Sequence, residues 1–196
     1  MTERKLRLIN ASVLSSAMEH LRRRCFLGEG SERSSCDEFD LRSRHIVVVL
    51  GDAPVAQIRA TLDAPFAVKQ WSNGAAEVPD GSHVAELTRA NVAPEYRGLG
   101  LSGIVFREAL RWLASNDKTI VVGAEEPALL ARTMYRRLGY EPCGPEVSFN
   151  EPIGLELLVQ PLLIRNVPER VAAWRTEQEA HLQRLRERGY ELVTEG

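Results

Sequence analysis

The segment HVAELTRANVAPEYRGLGLSGIVFREALRWLASNDKTIVVG, residues 83–123, restricts the possible folds more than any other part of the chain. HVAELTRANV has strand character and runs into the glycine-bearing turn YRGLGLSG. In the following IVFREALRWLA, Val105, Phe106, Ala109, Leu110 and Leu113 mark one face of a helix, and TIVVG then reads as a short apolar strand. A strand, a helix and a second strand imply one parallel pair. Upstream, HIVVVL and APVAQIRATL flank the dipeptide GD and read as an antiparallel hairpin. The expectation is an α/β (α+β) fold with a mixed, mainly antiparallel sheet flanked by helices.

The turn itself has two chemical readings. From Gly98 it spells G-x-G-x-x-G, with Glu125 and Glu126 downstream, as in a dinucleotide-binding unit. Such a unit starts from a buried parallel strand and is followed by a second mononucleotide half, whereas here the strand carries Glu86 and Arg89 and follows a hairpin. From Arg97 the turn spells R-x-x-G-x-S. Its glycines let the backbone N–H groups of Gly98, Leu99, Gly100, Leu101 and Ser102 converge on an anion at a helix N-terminus, and Arg97 adds a charge. A tight strand-to-helix turn with no ligand fits the same glycines.

The rest of the chain bounds the setting. With 196 residues and 44% apolar composition it can bury one substantial core, expected over residues 1–165, with a helical extension at 166–196. That extension offers a surface for a homodimer or a cover for the sheet. A net charge of −2 gives no general pull toward nucleic acid. Without a long apolar run or an apolar leader, the expectation is a cytoplasmic protein with no membrane span. Cys25, Cys36 and Cys143 are scattered and odd in number, which suits free thiols and suggests no metal site. SVLSSAMEHLRRRCFL reads as a first helix, GEGSERSSCDEFDLRS and residues 61–82 as loops, and EEPALLARTMYRRLGY as a helix closed by Gly139; EVSF and GLELLVQPLL read as closing strands.

NVAPEYRGLGLSGIVFREAL resembles the central motif of the GNAT acyltransferase superfamily, and ALLARTMYRRLGY resembles its second motif, with Tyr135 in place. The order Arg22, Phe26, Asp37, Asp40, Arg59, Glu86, Thr88, Arg89 is similar to the sparse pattern of the acyl-homoserine-lactone (autoinducer) synthases and the related N-acyl amino acid synthases. A Trp typical of the former between Phe and the Asp pair is missing, Ser102 stands where Gly or Ala is usual, and the loop is well preserved. The resemblance therefore leans toward an N-acyl amino acid synthase.

That resemblance implies a sheet opened between its central parallel strands, and an N-acyltransferase moving an acyl group from acyl-ACP or acyl-CoA to a small amine or amino acid. It implies no tightly bound cofactor. In it, Glu86 is the general base, directly or through water, the Val92 N–H stabilises the oxyanion, and Tyr135 protonates the leaving thiolate. Asp37, Asp40, Arg59 and Arg89 become an ion network ordering the N-terminal loop over the acceptor, with Phe66 and Trp71 as acyl-pocket walls. Arg22, Arg23 and Arg24, with Arg136 and Arg137, offer basic clusters to an acidic acyl carrier protein. Other roles also fit these residues: a strand carboxylate paired with arginine for Glu86, a packed ring for Tyr135, solvated charges for the rest. Two further functions remain open, an acetyl-CoA-dependent N-acetyltransferase and a binding module without turnover.

Overall fold

A computed structural model describes residues 4–125, 134–150 and 156–194. The strands are β1 (Arg4–Ala11), β2 (Ser43–Leu50), β3 (Ala53–Thr61), β4 (Val84–Val92), β5 (Ile120–Glu125), β6 (Glu141–Pro142), β7 (Val147–Asn150), β8 (Glu156–Arg165) and β9 (Tyr190–Thr194). The helices are α1 (Ser16–Leu27), α2 (Ala67–Trp71), α3 (Leu101–Ala114), α4 (Met134–Leu138), α5 (Val167–Ala173) and α6 (Arg175–Glu187), with 3-10 turns at Glu38–Arg42 and Pro94–Tyr96.

The strands pair in the order β6-β8-β5-β4-β3-β2-β1-β9, and β7 adds to β8. The sheet is antiparallel except where β4 meets β5 and β1 meets β9. Alternation along β2 sends Ile46 and Val48 to one face and Val47 and Val49 to the other, so HIVVVL is apolar throughout because both faces are covered. On the first face α3 buries Leu101, Val105, Ala109, Leu110 and Leu113, joined by Val167, Trp174 and Leu185 from the C-terminal helices. On the second, Met18 of α1 covers Val47 and Val49, while Phe66, Val68 and Trp71 cover Val84, Ile120 and Val122. Ser15 caps α1 by accepting from the Met18 N–H, and the buried Gln57 amide donates to the Met18 carbonyl at 2.7 Å.

Three elements differ from the sequence reading. A short helix, α2, lies inside the expected 61–82 loop. The C-terminal extension is two helices divided at Trp174, and residues 190–194, YELVT, form β9 beside β1, so it adds a strand to the sheet besides its helices. The expected 125–140 helix is described only over Met134–Leu138, with Pro127 and its neighbours outside the described residues; Gly139, at φ 84°, follows its end. No described helix is long and apolar enough to cross a membrane.

Candidate active site

The site begins where two parallel strands part. The β4–β5 ladder runs only from Val84 opposite Ile120 to Glu86 opposite Val122. Two features end it. On β3, Gln57 faces Asn91 and Arg59 faces Thr88, so β4 holds an extra residue, a bulge with Arg89 at φ 58° that turns the strand's end away. On β5, a Cβ at Gly123 would lie 2.9 Å from the Leu87 carbonyl oxygen, so the crossing point admits only glycine.

The opened strands leave a cleft of about 490 Å³, lined among the described residues by α1 (Cys25, Phe26), the end of β4, Arg97, Ser102, Phe106, Glu125 and Tyr135. The Ala93 N–H donates to the Val55 carbonyl at 2.9 Å, which makes Val92 and Ala56 a non-hydrogen-bonded pair. The Val92 N–H and C=O therefore turn toward the cleft. The carbonyl accepts from Arg97 Nε at 3.4 Å and from the Cys25 thiol at 3.6 Å.

At one end of the cleft is the loop before α3. Gly98 and Gly100 have φ of 79° and 76°, and Gly100 caps α3 without a side chain. Among the described residues, the N–H groups of residues 98–103 donate to no carbonyl or side-chain acceptor. A row of free donors at the positive end of a fourteen-residue helix can cradle an anion. The Leu101 side chain is buried, so that residue offers only its backbone.

At the other end stand Glu125 and Tyr135. The Tyr135 ring packs edge-on against Phe106 and Tyr140, with centroids 5.1 and 5.3 Å apart, and its hydroxyl hydrogen-bonds the Glu125 carboxylate. Burial, then the Glu125 charge, pushes the phenol well above its ordinary range, so Tyr135 stays protonated at neutral pH.

Glu86 lies elsewhere. It is fully buried, with one oxygen 3.0 Å from the Ala67 N–H and the other 2.6 Å from the Val68 N–H, capping α2. Burial raises its pKa, against those two donors and Arg59. Both oxygens are occupied and the residue does not line the cleft, so this geometry gives Glu86 an anchoring place and no direct path to an amine. Phe66 and Trp71 are likewise core residues and do not line the cleft.

Asp37, Asp40, Arg59 and Arg89 come together beneath α1. Arg22 reaches Asp40 at 2.8 Å; Arg59 bonds Asp37 at 2.5 Å and Asp40 at 3.2 Å; Arg89 bonds Asp37 at 2.8 Å. Arg59 Nε donates to Thr88 Oγ1 at 3.0 Å. The Arg59 and Arg89 guanidiniums lie 5.7 and 4.7 Å from the Trp71 ring centre, and Arg89 is 6.0 Å from that of Phe26. None of the four lines the cleft; they hold α1, whose Phe26 does. Arg22 is fully buried, which removes it from any docking surface, while Arg24 pairs with Glu95 at 2.6 Å.

His45 sits beside this network, fully buried and 4.0 Å from Asp40. Burial, then the Arg22 charge, lowers its pKa from 6.5 to about 4. The unfolded chain thus binds a proton that the folded one refuses, and stability falls as pH drops from 6.5 to 4. The expected contribution is about 3 kcal/mol over that window. Urea titrations of the parent and His45→Gln across pH 4–7 measure it: the parent should lose that much more stability on acidification, and parallel curves would refute the assignment.

The sequence profile of the Acetyltransferase (GNAT) family matches residues 15–140. The chain belongs to the GNAT family. This GNAT acyltransferase also shares its fold with the CoA-dependent acyl-homoserine lactone synthase BjaI, solved with SAM and isopentyl-CoA (TM-score 0.69, 14% identity, 97% of this chain and 93% of that one). The acyl-homoserine lactone synthase LasI matches with a TM-score of 0.63 at 17% identity, over 86% of this chain and 94% of LasI. Escherichia coli ElaA matches at 0.58 and 16%, over 81% and 98%. No curated protein sequence matches the chain significantly. Glu125 lines the cleft with Tyr135, a placement the sequence reading did not foresee; its signal was its place at the end of the strand after the loop helix, ten residues before Tyr135.

Proposed function

We propose that this GNAT acyltransferase moves an acyl group from a pantetheine thioester, carried by coenzyme A or an acyl carrier protein, to the amine of a small metabolite such as an amino acid. The observation that carries the reading is the cleft: free loop amides for the arm's phosphate at one end, an inward strand N–H at the middle, and the Glu125–Tyr135 pair at the other. The structural likeness to BjaI, which was solved with isopentyl-CoA, supports an acyl chain longer than acetyl.

In this reading the neutral amine attacks the thioester carbon, and the Val92 N–H stabilises the oxyanion that forms. The C–S bond then breaks. Tyr135 gives its proton to the departing thiolate, and Glu125, having taken a proton from the amine nitrogen, restores the phenol. The second proton of the original ammonium leaves to solvent. Glu125 thus takes the proton-accepting place that the family resemblance gave Glu86, and Glu86 holds α2 beneath the ion network. Expression in a heterologous bacterium followed by mass spectrometry of extracted lipids should reveal an N-acyl amino acid absent from control cells. No such product, alongside fast acetyl-CoA turnover on polar amines, would refute the long-chain reading.

A further inference from the structure

The C-terminal helix α6 meets the loop before α3 from the side of the loop's carbonyls. Glu177, His181, Arg184 and Arg188 recur at the spacing that stacks side chains along one helical face, and they lie beyond the residues that match the family profile. Two of them reach the loop: Arg188 donates to the Gly98 carbonyl at 2.8 Å, and His181 Nε2 lies 3.3 Å from the Leu99 carbonyl. The partners of His181 fix its tautomer. A carbonyl only accepts, so Nε2 carries the hydrogen; a guanidinium only donates, so Nδ1, 3.3 Å from Arg107, accepts. Arg107 is in turn paired with Glu177 at 3.2 Å. Burial, then the Arg107 and Arg184 charges, lowers the His181 pKa against its Leu99 contact, leaving the ring neutral.

The consequence lies on the other edge of the same peptide units. Both are trans, and a trans unit points its C=O and its N–H in opposite directions. Holding the Gly98 carbonyl toward Arg188 therefore turns the Leu99 N–H away from α6, and holding the Leu99 carbonyl toward His181 turns the Gly100 N–H away as well. Both N–H groups are among the loop donors with no acceptor in the described residues. Glycine on either side of Leu99 puts no steric bar on rotation of these planes, so their direction has to be fixed from outside the loop. An N–H whose own carbonyl already accepts a hydrogen bond is also the stronger donor. The His181 ring stands where a Cβ at Gly100 would lie, so the glycine and the ring fit each other.

We propose that His181, with Arg188 as a second tether, is a positioning residue that sets the direction of the Leu99 and Gly100 amides for the phosphate of the acyl donor. This rests on the acyl-thioester reading above and gives α6 a part in it. His181 itself touches no ligand, because both of its ring nitrogens are engaged within the protein. α6 keeps its seat without that ring, since Trp174 and Leu185 anchor it in the core of the first face.

Three variants of the full chain test it: His181→Ala; His181→Gln, whose amide keeps a donor in place of Nε2–H; and Arg111→Ala, which cuts a tie between α3 and Gln178 of α6 that does not reach the loop. In thiol-release kinetics with an acyl-CoA, His181→Ala should raise KM about fivefold to tenfold with kcat within about twofold of the parent. His181→Gln should recover most of that loss, and Arg111→Ala should keep the parental KM. In NMR relaxation of the free proteins, only His181→Ala should loosen the Leu99 and Gly100 amides. Unchanged KM or equally rigid amides in His181→Ala, a KM raised as much by Arg111→Ala, or a glutamine variant no better than the alanine one overturns the positioning role and leaves the acyl-thioester reading standing. A parent that neither binds nor consumes any acyl-CoA overturns that reading and this proposal with it.

Discussion

Replacing Asp37 with alanine is expected to lower the unfolding free energy by about 3–5 kcal/mol, the largest single-residue loss on the second face of the sheet. The Asp37 side chain is 1% exposed and holds two guanidiniums, Arg59 and Arg89, that are themselves buried. Its removal leaves Arg59 sharing Asp40 with Arg22 and takes from Arg89 the carboxylate 2.8 Å away, and the aromatic rings around them cannot replace a carboxylate. It also removes the acceptor for the Phe39 N–H, so the 3-10 turn that presents Asp40 loses its cap. Asp37→Asn keeps that acceptor and should cost less. The exposed Arg24–Glu95 pair gives the contrast: Glu95→Gln should change stability by about 1 kcal/mol or less. Denaturant titration with an unchanged slope measures all three, and an Asp37→Ala cost as small as that of Glu95→Gln would show that the network does not carry the second face.

Tyr135→Phe is expected to reduce kcat by about 10²–10⁴-fold with little change in KM. The edge-on contacts with Phe106 and Tyr140 need only the ring, so the variant keeps its packing. What it loses is the proton aimed at the thiolate and the partner of Glu125. Because burial and the Glu125 charge raise the phenol's pKa, Tyr135 remains a donor through the whole neutral range and should give the parent no alkaline rate limb below about pH 10. A parental rate that collapses between pH 8 and 9, or a Tyr135→Phe enzyme with full kcat, would remove Tyr135 from the proton path.

The loop and the cleft-forming strands were legible because their causes are local. Glycines at positive φ and an uncapped helix start act within a few residues, and the period change from strand to α3 can be counted along the chain. The hidden parts depend on partners distant in sequence. Arg22 looked like one of three exposed arginines, yet four-residue spacing from the buried Met18 carries it to the inner face of α1, where Asp40 neutralises it. Glu86 looked like a base or an arginine's partner because its actual partner, α2, is five residues long and follows Pro65, too short for a helical period to register. YELVT was hidden differently: as an edge strand half-exposed along its length, β9 lacks the clean alternation that marks a strand with one face buried. The seat of α6 over the loop before α3 likewise joins segments some eighty residues apart in sequence, as the His181 to Leu99 contact shows.

The most direct test of the account is release of free thiol from a series of acyl-CoA thioesters by the purified protein, followed with a thiol reagent with and without added amino acids. The account predicts release that depends on the amine, with Glu125→Gln and Tyr135→Phe each slowing kcat by about 10²-fold or more while Glu86→Gln mainly lowers stability. Thioester binding with no amine-dependent release, or Glu86→Gln abolishing turnover in a fully folded protein while Glu125→Gln leaves it intact, would contradict it.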